Sequence, residues 1–282
     1  MTLSYEYTWE QAVDWLCQQP EKQDLVRACY YDDPIEKSAS RFHDSEEWHE
    51  IMHVLGNFLP CRVLDIGAGR GISSYAFAKQ GCEVIAIEPD PSPLVGIAAI
   101  EDLTTKTGLP IKVVRGYGES LPFKDNSFDI VYGRAILHHA CDLHNLCKNA
   151  ARILKPGGIF MVTREHVISR RQDLDAFLRS HPLHFLYGGE NAYLLSEYKT
   201  AIKLSGLKLL SVLGPYDSVI NYAPISYKEL QGTIASLLTR FTGKMLSNSL
   251  VNNPMLFKLM SFVLSLKSQL PGRLYSFIAV KR

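Results

Sequence analysis

Apolar residues recur along this chain at two spacings, and the change from one to the other divides it. Near the start, Trp9, Val13 and Leu16 fall on one side of a helix predicted over Thr8 to Gln19. Thr8 is placed to cap it, Gln11 to answer the cap and Pro20 to stop it. A second helix is predicted over Ser45 to Phe58, with Trp48, Ile51, Met52 and Leu55 at helical spacing and acidic residues in its first turn. From Arg62 onward, short apolar runs alternate with helical segments. The runs are Val63 to Ile66, Glu83 to Glu88, Ile111 to Arg115, Phe128 to Tyr132 and Ile159 to Thr163; the helices are Ile72 to Lys79, Pro93 to Thr107 and Leu143 to Leu154. Such alternation predicts parallel strands joined by crossover helices. Pro156-Gly157-Gly158 is read as a tight return into the fifth strand.

Beyond Thr163 the pattern loosens. Residues 181–195 mix imidazoles, aromatic rings and glycine and read as a shaped loop over a cleft. Tyr198 to Ser205 reads as helix and Leu207 to Leu213 as strand. Two helices are expected within 227–269, separated by Asn252, Asn253 and Pro254, before a last strand at Leu274 to Val280. The fold class is therefore α/β: a doubly wound, mostly parallel, seven-stranded sheet with N-terminal and late helical insertions. Residues 1–59 are expected to form a helical cover. Residues 60–282 are expected to form the main domain, with insertions at about 167–195 and 215–270.

Composition narrows the class. Hydrophobic residues are 46% of the 282 and charged residues 21%, a balance that sustains a folded core. The formal net charge of +1 gives no general attraction for nucleic acid. The charge is uneven, however: Asp32, Asp33, Asp44, Glu46, Glu47 and Glu50 crowd the first fifty residues, and no Asp or Glu follows Glu229. The basic tail is read either as a solvated face or as a weak anionic-surface site. Six cysteines without CxxC spacing are expected to be reduced. With no signal-like start and with Lys258 and Lys267 interrupting Met255 to Leu270, a cytoplasmic, non-spanning protein is expected.

The strongest local chemistry lies in Val63-Leu64-Asp65-Ile66-Gly67-Ala68-Gly69-Arg70-Gly71. Glycines at 67, 69 and 71 suit a sharp strand-to-helix turn or a close backbone approach to a ligand. Glu88, at the end of the second strand, is placed to accept hydrogen bonds from ribose hydroxyls. Asp65 would repel a phosphate and attract a cationic amino group, which favours a nucleoside carrying an amino acid over a dinucleotide. A third element, Gly116 to Phe123, reads either as a surface turn or as a border for adenine through Gly118 and Glu119.

Together these segments resemble the class I S-adenosylmethionine-dependent methyltransferases, small-molecule group. The resemblance rests on VLDIGAGRG, the acid closing the second strand, GESLPF, FDIVYGRAILHH and LKPGG; it is strong over about residues 60 to 165 and weak at the terminal strand pair. It implies S-adenosylmethionine as cofactor, S-adenosylhomocysteine as product and a Rossmann-like methyltransferase fold. By that resemblance Asp65, Gly67 and Gly69 lie beside the methionine portion, Glu88 holds the ribose and Gly118 and Glu119 border adenine. Gly133 and Arg134 are placed to contribute backbone contacts. Tyr117 stands where many relatives carry an acid, so stacking or a different wall is expected there.

Methyl transfer needs chiefly alignment, with a base only where the acceptor loses a proton. Candidate bases are His139 and His166, with His138, His181 and His184 nearby and Glu165 placed to orient one of them. Tyr187, Tyr193 and Tyr216 are expected to wall the acceptor, and Phe42 and Trp48 either to approach from the front or to pack the core. No chelating spacing such as HExxH occurs, so no metal is expected. The reading is a small organic acceptor attacked in line, with oligomeric state left open. An RNA-modifying enzyme and a non-catalytic cofactor-binding partner protein are the alternatives.

Overall fold

Strand residues in this chain are apolar on both faces because both faces are covered. The computed structural model describes residues 5–56 and 61–282. It opens with four helices, α1 (Trp9–Cys17), α2 (Gln23–Ala28), α3 (Ile35–His43) and α4 (Glu46–Leu55). Thr8 caps α1 in the expected box with Gln11, and the Ser45 side chain caps α4 by accepting from the Trp48 amide. The residues expected to extend α4 towards Phe58 lie outside those described. Then follow β1 (Arg62–Ile66), α5 (Ile72–Lys79), β2 (Glu83–Glu88), α6 (Ile97–Thr107), β3 (Ile111–Arg115), β4 (Phe128–Arg134), α7 (Leu143–Ile153) and β5 (Leu154–Ile168). The remainder is α8 (Leu174–Ser180), α9 (His184–Tyr187), β6 (Tyr193–Leu194), α10 (Leu195–Leu204), β7 (Leu207–Leu213), α11 (Val219–Tyr222), α12 (Tyr227–Thr242), α13 (Lys244–Asn252), α14 (Pro254–Lys267) and β8 (Arg273–Lys281).

The sheet runs β3-β2-β1-β4-β5-β8-β7, with the two-residue β6 paired beside β5 off that path. β1 to β5 pair in parallel, and β8 lies antiparallel between β5 and β7. This is the doubly wound, mostly parallel sheet expected from the alternation, with one short strand added. Side chains alternate between two cores. Leu64, Ile85, Val131 and Phe160 meet Leu146, Ala150 and Ile202 on one side. Val63, Val84, Ile130 and Tyr132 meet Phe42, Trp48, Ile51 and Phe77 on the other. Phe42 and Trp48 are fully buried there, which places them in the core between the N-terminal helices and the sheet.

Several boundaries differ from expectation: the helix expected from Pro93 begins at Ile97, and the one expected from Tyr198 begins at Leu195. β5 starts at Leu154 and runs to Ile168, so His166 lies within it and not beyond it. Its register with β8 shifts between Val162 and Glu165, and Arg164 sits at φ 61° in that irregularity. The late helices number three and not two, because Gly243 takes φ 77° and breaks the run between α12 and α13. Among the described residues no single helix is long and apolar enough to cross a membrane. α13 and α14 meet that criterion only as a pair, bent by 94°.

Candidate active site

The turn leaving β1 forms a cradle. The amides of Gly67 and Ala68 both donate to the Ile87 carbonyl, tying the turn to the end of β2. The next residue, Glu88, accepts from the Gly69 amide through Oε2 at 2.8 Å and from the Asp90 amide through Oε1 at 3.0 Å. Asp65 is buried, and its Oδ2 accepts from the hydroxyls of Ser73 at 2.9 Å and Ser74 at 2.6 Å in the first turns of α5. Its Oδ1 is buried with no hydrogen-bond partner among the described residues. Burial raises the Asp65 carboxyl to about 6 and the Glu88 carboxyl to about 7.

This donor set fits S-adenosylmethionine. A buried carboxylate oxygen without a donor suits an ammonium group, and a second carboxylate stands at a strand end across an open backbone turn. At Gly69 the nearest atom to an added Cβ is the Val95 carbonyl oxygen at 3.8 Å, which leaves room along the loop. Gly67 and Gly133 have no such room: an added Cβ at either would stand 2.4 Å from the Ile136 side chain. Ile136 thus packs across both backbones, and only glycine permits it.

The other expected cofactor contacts are placed as follows. Gly118 approaches α7 so closely that an added Cβ would lie 2.9 Å from Leu146. The Glu119 side chain accepts from the Cys141 backbone amide at 2.9 Å, and its backbone carbonyl accepts from the side-chain amides of Asn145 and Asn149, so this residue fastens the loop to the start of α7. Tyr117 projects into solvent. Arg134 turns its side chain to the N-terminal helices: Nε and Nη2 donate to the two oxygens of Glu47 at 2.8 and 3.1 Å. Glu47 is 1% exposed on α4, and Arg164 approaches the same carboxylate at 3.9 Å. This ion cluster lies where the cover meets β4 and β5.

Beyond Ile136 lies a cluster of imidazoles. His138 and His139 occupy a single 3-10 turn after β4, His166 is in β5 and His181 follows α8. The His138 ring centroid is 4.2 Å from that of His139 and 4.7 Å from that of His166, and His166 and His181 are 5.9 Å apart. Nδ1 of His138 meets Glu165 Oε2 at 2.8 Å; Nδ1 of His139 meets the Gly189 carbonyl at 3.1 Å and Nδ1 of His166 the Gly272 carbonyl at 2.7 Å. Burial pushes His138 well below the ordinary imidazole value and takes His166 and His181 down to about 4.

Glu190, which no motif or spacing marks, stands among these rings. Tyr187 donates its hydroxyl to Oε1, while Oε2 lies 3.8 Å from His138 Nε2 and 3.7 Å from His181 Nε2. Burial would raise its pKa, but the facing rings of His139, His181 and His138 hold the carboxylate below its usual range. Of the three tyrosines expected at the acceptor, Tyr187 joins this cluster. Tyr193 donates to the Ala140 carbonyl at 2.8 Å, and Tyr216 packs with the late helices around Leu230, Ile234 and Phe257.

Residues 64–162, from β1 through most of β5, match a family described as a methyltransferase domain. Residues 64–162 thus carry a methyltransferase domain of the class I, S-adenosylmethionine-dependent kind. Over 152 residues the chain is 31% identical to an uncharacterized methyltransferase of Bacillus subtilis, YcgJ, a match spanning 51% of this chain and 58% of that protein. Over 159 residues it is 26% identical to the ubiquinone biosynthesis O-methyltransferase of Rhizobium etli, spanning 55% of this chain and 63% of the relative. The chain thus spans less than two thirds of these curated relatives. In fold it is similar to geranyl diphosphate C-methyltransferase from Streptomyces coelicolor, with TM-score 0.57 at 17% identity, covering 90% of this chain and 88% of that one. The [4+2]-cyclase SpnF is similar in fold too, with TM-score 0.54 at 18% identity over 87% and 82% of the two chains. The imidazole cluster straddles the edge of the matched region, since His166, His181 and Glu190 lie beyond residue 162.

Proposed function

We propose that this chain catalyses S-adenosylmethionine-dependent methyl transfer to a small organic acceptor by direct in-line attack. The carrying observation is the cradle itself: a buried Asp65 oxygen without a donor beside a glycine turn, with Glu88 across it. S-adenosylmethionine, when bound, supplies a methyl group on a positively charged sulfur. Asp65 receives its ammonium end, Glu88 accepts from its ribose hydroxyls, and the backbone of Gly67, Gly69 and Gly133 borders its methionine portion. Gly118 and Glu119 border the adenine, with Glu119 acting through the loop it fastens.

The acceptor end is assigned to the imidazole cluster. His139 and His166 each have Nδ1 on a backbone carbonyl oxygen, which leaves Nε2 as the proton-accepting atom. His139 is exposed and takes the proton of a hydroxyl or amine acceptor, while the more buried His166 orients it. Tyr187 forms part of the wall with Glu190. The RNA-modifying alternative has little support, because the net charge is only +1 and the exposed Arg240, Lys244 and Lys258 of α12 to α14 are interspersed with exposed Phe241, Met245, Met255, Leu259 and Phe262.

The first test is calorimetry with S-adenosylmethionine and NAD in parallel. Selective binding of S-adenosylmethionine is expected, and NAD-selective binding would overturn the reading. Incubation with metabolite extracts, reading S-adenosylhomocysteine formation and product mass, then identifies the acceptor.

A further inference from the structure

We infer that Glu190, His138 and His139, with His166 beside them, form a binding site for one divalent first-row transition-metal ion. Donor atoms of His138, His139 and Glu190 lie within 4.8 Å of one another, and those of His166, His181 and Glu190 do likewise. The two triads share one carboxylate. That carboxylate is buried, with 4% of its side chain exposed, and its Oε2 has no hydrogen-bond partner among the described residues although it is aimed at two imidazoles. A bare anionic oxygen in such surroundings is costly without a cation.

The hydrogen bonds behind the rings support the same conclusion. A metal-bound imidazole ordinarily gives its other N–H to a carboxylate or a backbone carbonyl, which fixes the ring and the tautomer. His138 has that arrangement with Glu165, His139 with Gly189 and His166 with Gly272, so each presents an unprotonated Nε2. Glu190 is likewise held, at its other oxygen, by Tyr187. His181 differs: its Nδ1 already accepts from the Leu183 amide at 3.4 Å, which leaves Nε2 protonated in the neutral ring and places His181 at the rim. Binding would shorten the 3.8 Å separation of His138 and Glu190, since ligand atoms about 2.0–2.2 Å from one ion stand closer than that in a tetrahedral shell.

Nitrogen donors with one carboxylate select zinc-like or iron(II)-like ions over magnesium or calcium, which prefer all-oxygen shells. The site does not depend on methyl transfer being the reaction, and an ion held on Nε2 of His139 would take the place of that ring as the proton acceptor assigned above. Its place matters to that reaction all the same, because His138 is two residues from Ile136, which packs across Gly67 and Gly133 of the cradle.

The test uses the full chain, stripped with a chelator and titrated with Co²⁺ while its visible ligand-field bands are followed, then back-titrated with Zn²⁺. One equivalent is expected, with bands of a site containing nitrogen ligands, lost on adding Zn²⁺. Glu190→Gln and, separately, the exposed His139→Ala are each expected to weaken the ion's binding by tenfold or more with unchanged circular dichroism. A spectrum of hydrated Co²⁺ alone, or both variants binding as the parent does, would overturn the site. Calorimetry of S-adenosylmethionine on the same stripped protein keeps the two readings apart: donor binding without a metal site sinks only this inference, and a metal site without donor binding sinks only the functional one.

Discussion

Oε2 of Glu165 lies 2.8 Å from Nδ1 of His138, and the same buried carboxylate accepts from the amides of Ile136 and His138. One side chain near the end of β5 thus sets both the turn after β4 and the orientation of an imidazole. Glutamine at 165 keeps one acceptor oxygen but turns an NH₂ group towards N–H donors. Glu165→Gln is expected to cost about 2 kcal/mol in urea unfolding, the scale of one unsatisfied buried polar group. A change below the scatter of repeated unfolding curves would mean that the turn is held by packing alone.

Asp65 and Glu88 make the cradle sensitive to pH. Their carboxyls move from ordinary values of 3.8 and 4.5 up to about 6 and about 7, chiefly through burial. The folded chain therefore binds more protons than the unfolded chain between those limits, and these two groups make stability fall as pH rises from about 4 to about 7. A bound ammonium and ribose favour the ionised forms, so S-adenosylmethionine should release protons on binding near pH 6 and bind more tightly at pH 7.5 than at pH 5.5. Calorimetry in buffers of differing ionisation enthalpy measures the release. Proton uptake would contradict the assignment of both acids.

Asp65→Asn tests the same acid without emptying its place. The amide can still accept from Ser73 or Ser74, but it offers no charge to an ammonium group. A loss of tenfold or more in affinity for S-adenosylmethionine is expected, equivalent to about 1.4 kcal/mol, while the unfolding midpoint shifts little. Equal affinity would remove Asp65 from the donor site.

Glu47 is the counter-charge of Arg134 across the junction of α4 and β4. Removing one partner of a buried pair leaves the other uncompensated, so Glu47→Ala is expected to destabilise by about 3–5 kcal/mol in chemical denaturation. Glu47→Asp, which keeps the charge on a shorter stem, should recover part of that loss. Identical losses for the two variants would show that volume and not charge matters there.

Gly133→Ala places a methyl group 2.4 Å from Cγ2 of Ile136, a branched side chain with little freedom to retreat. A cost of about 1–3 kcal/mol is expected, typical of overpacking. The double variant Gly133→Ala, Ile136→Ala should be more stable than the sum of the two single changes implies. Simple additivity would place the clash elsewhere.

What could be seen in the sequence is what depends on neighbours along the chain. The strand-turn-helix at 62–79 is legible because apolar runs, glycines and Asp65 fall within one supersecondary unit, and Gly69 reaches Glu88 over only 19 positions. The parallel sheet follows from alternation for the same reason. The third late helix was hidden because one glycine at positive φ breaks a run that otherwise keeps its helical pattern.

The sequence by itself determined the fold class and the glycine turn between β1 and α5, because local periodicity and turn chemistry decide which segments become strands, and the strand ends decide where a cleft opens. Only tertiary structure decided that Arg134 faces Glu47, 87 positions away, and that four histidines gather around Glu190. Those contacts depend on how the cover and the loop after α8 fold back over the sheet, and a carboxylate carries no mark in the sequence of the distant ring it will meet.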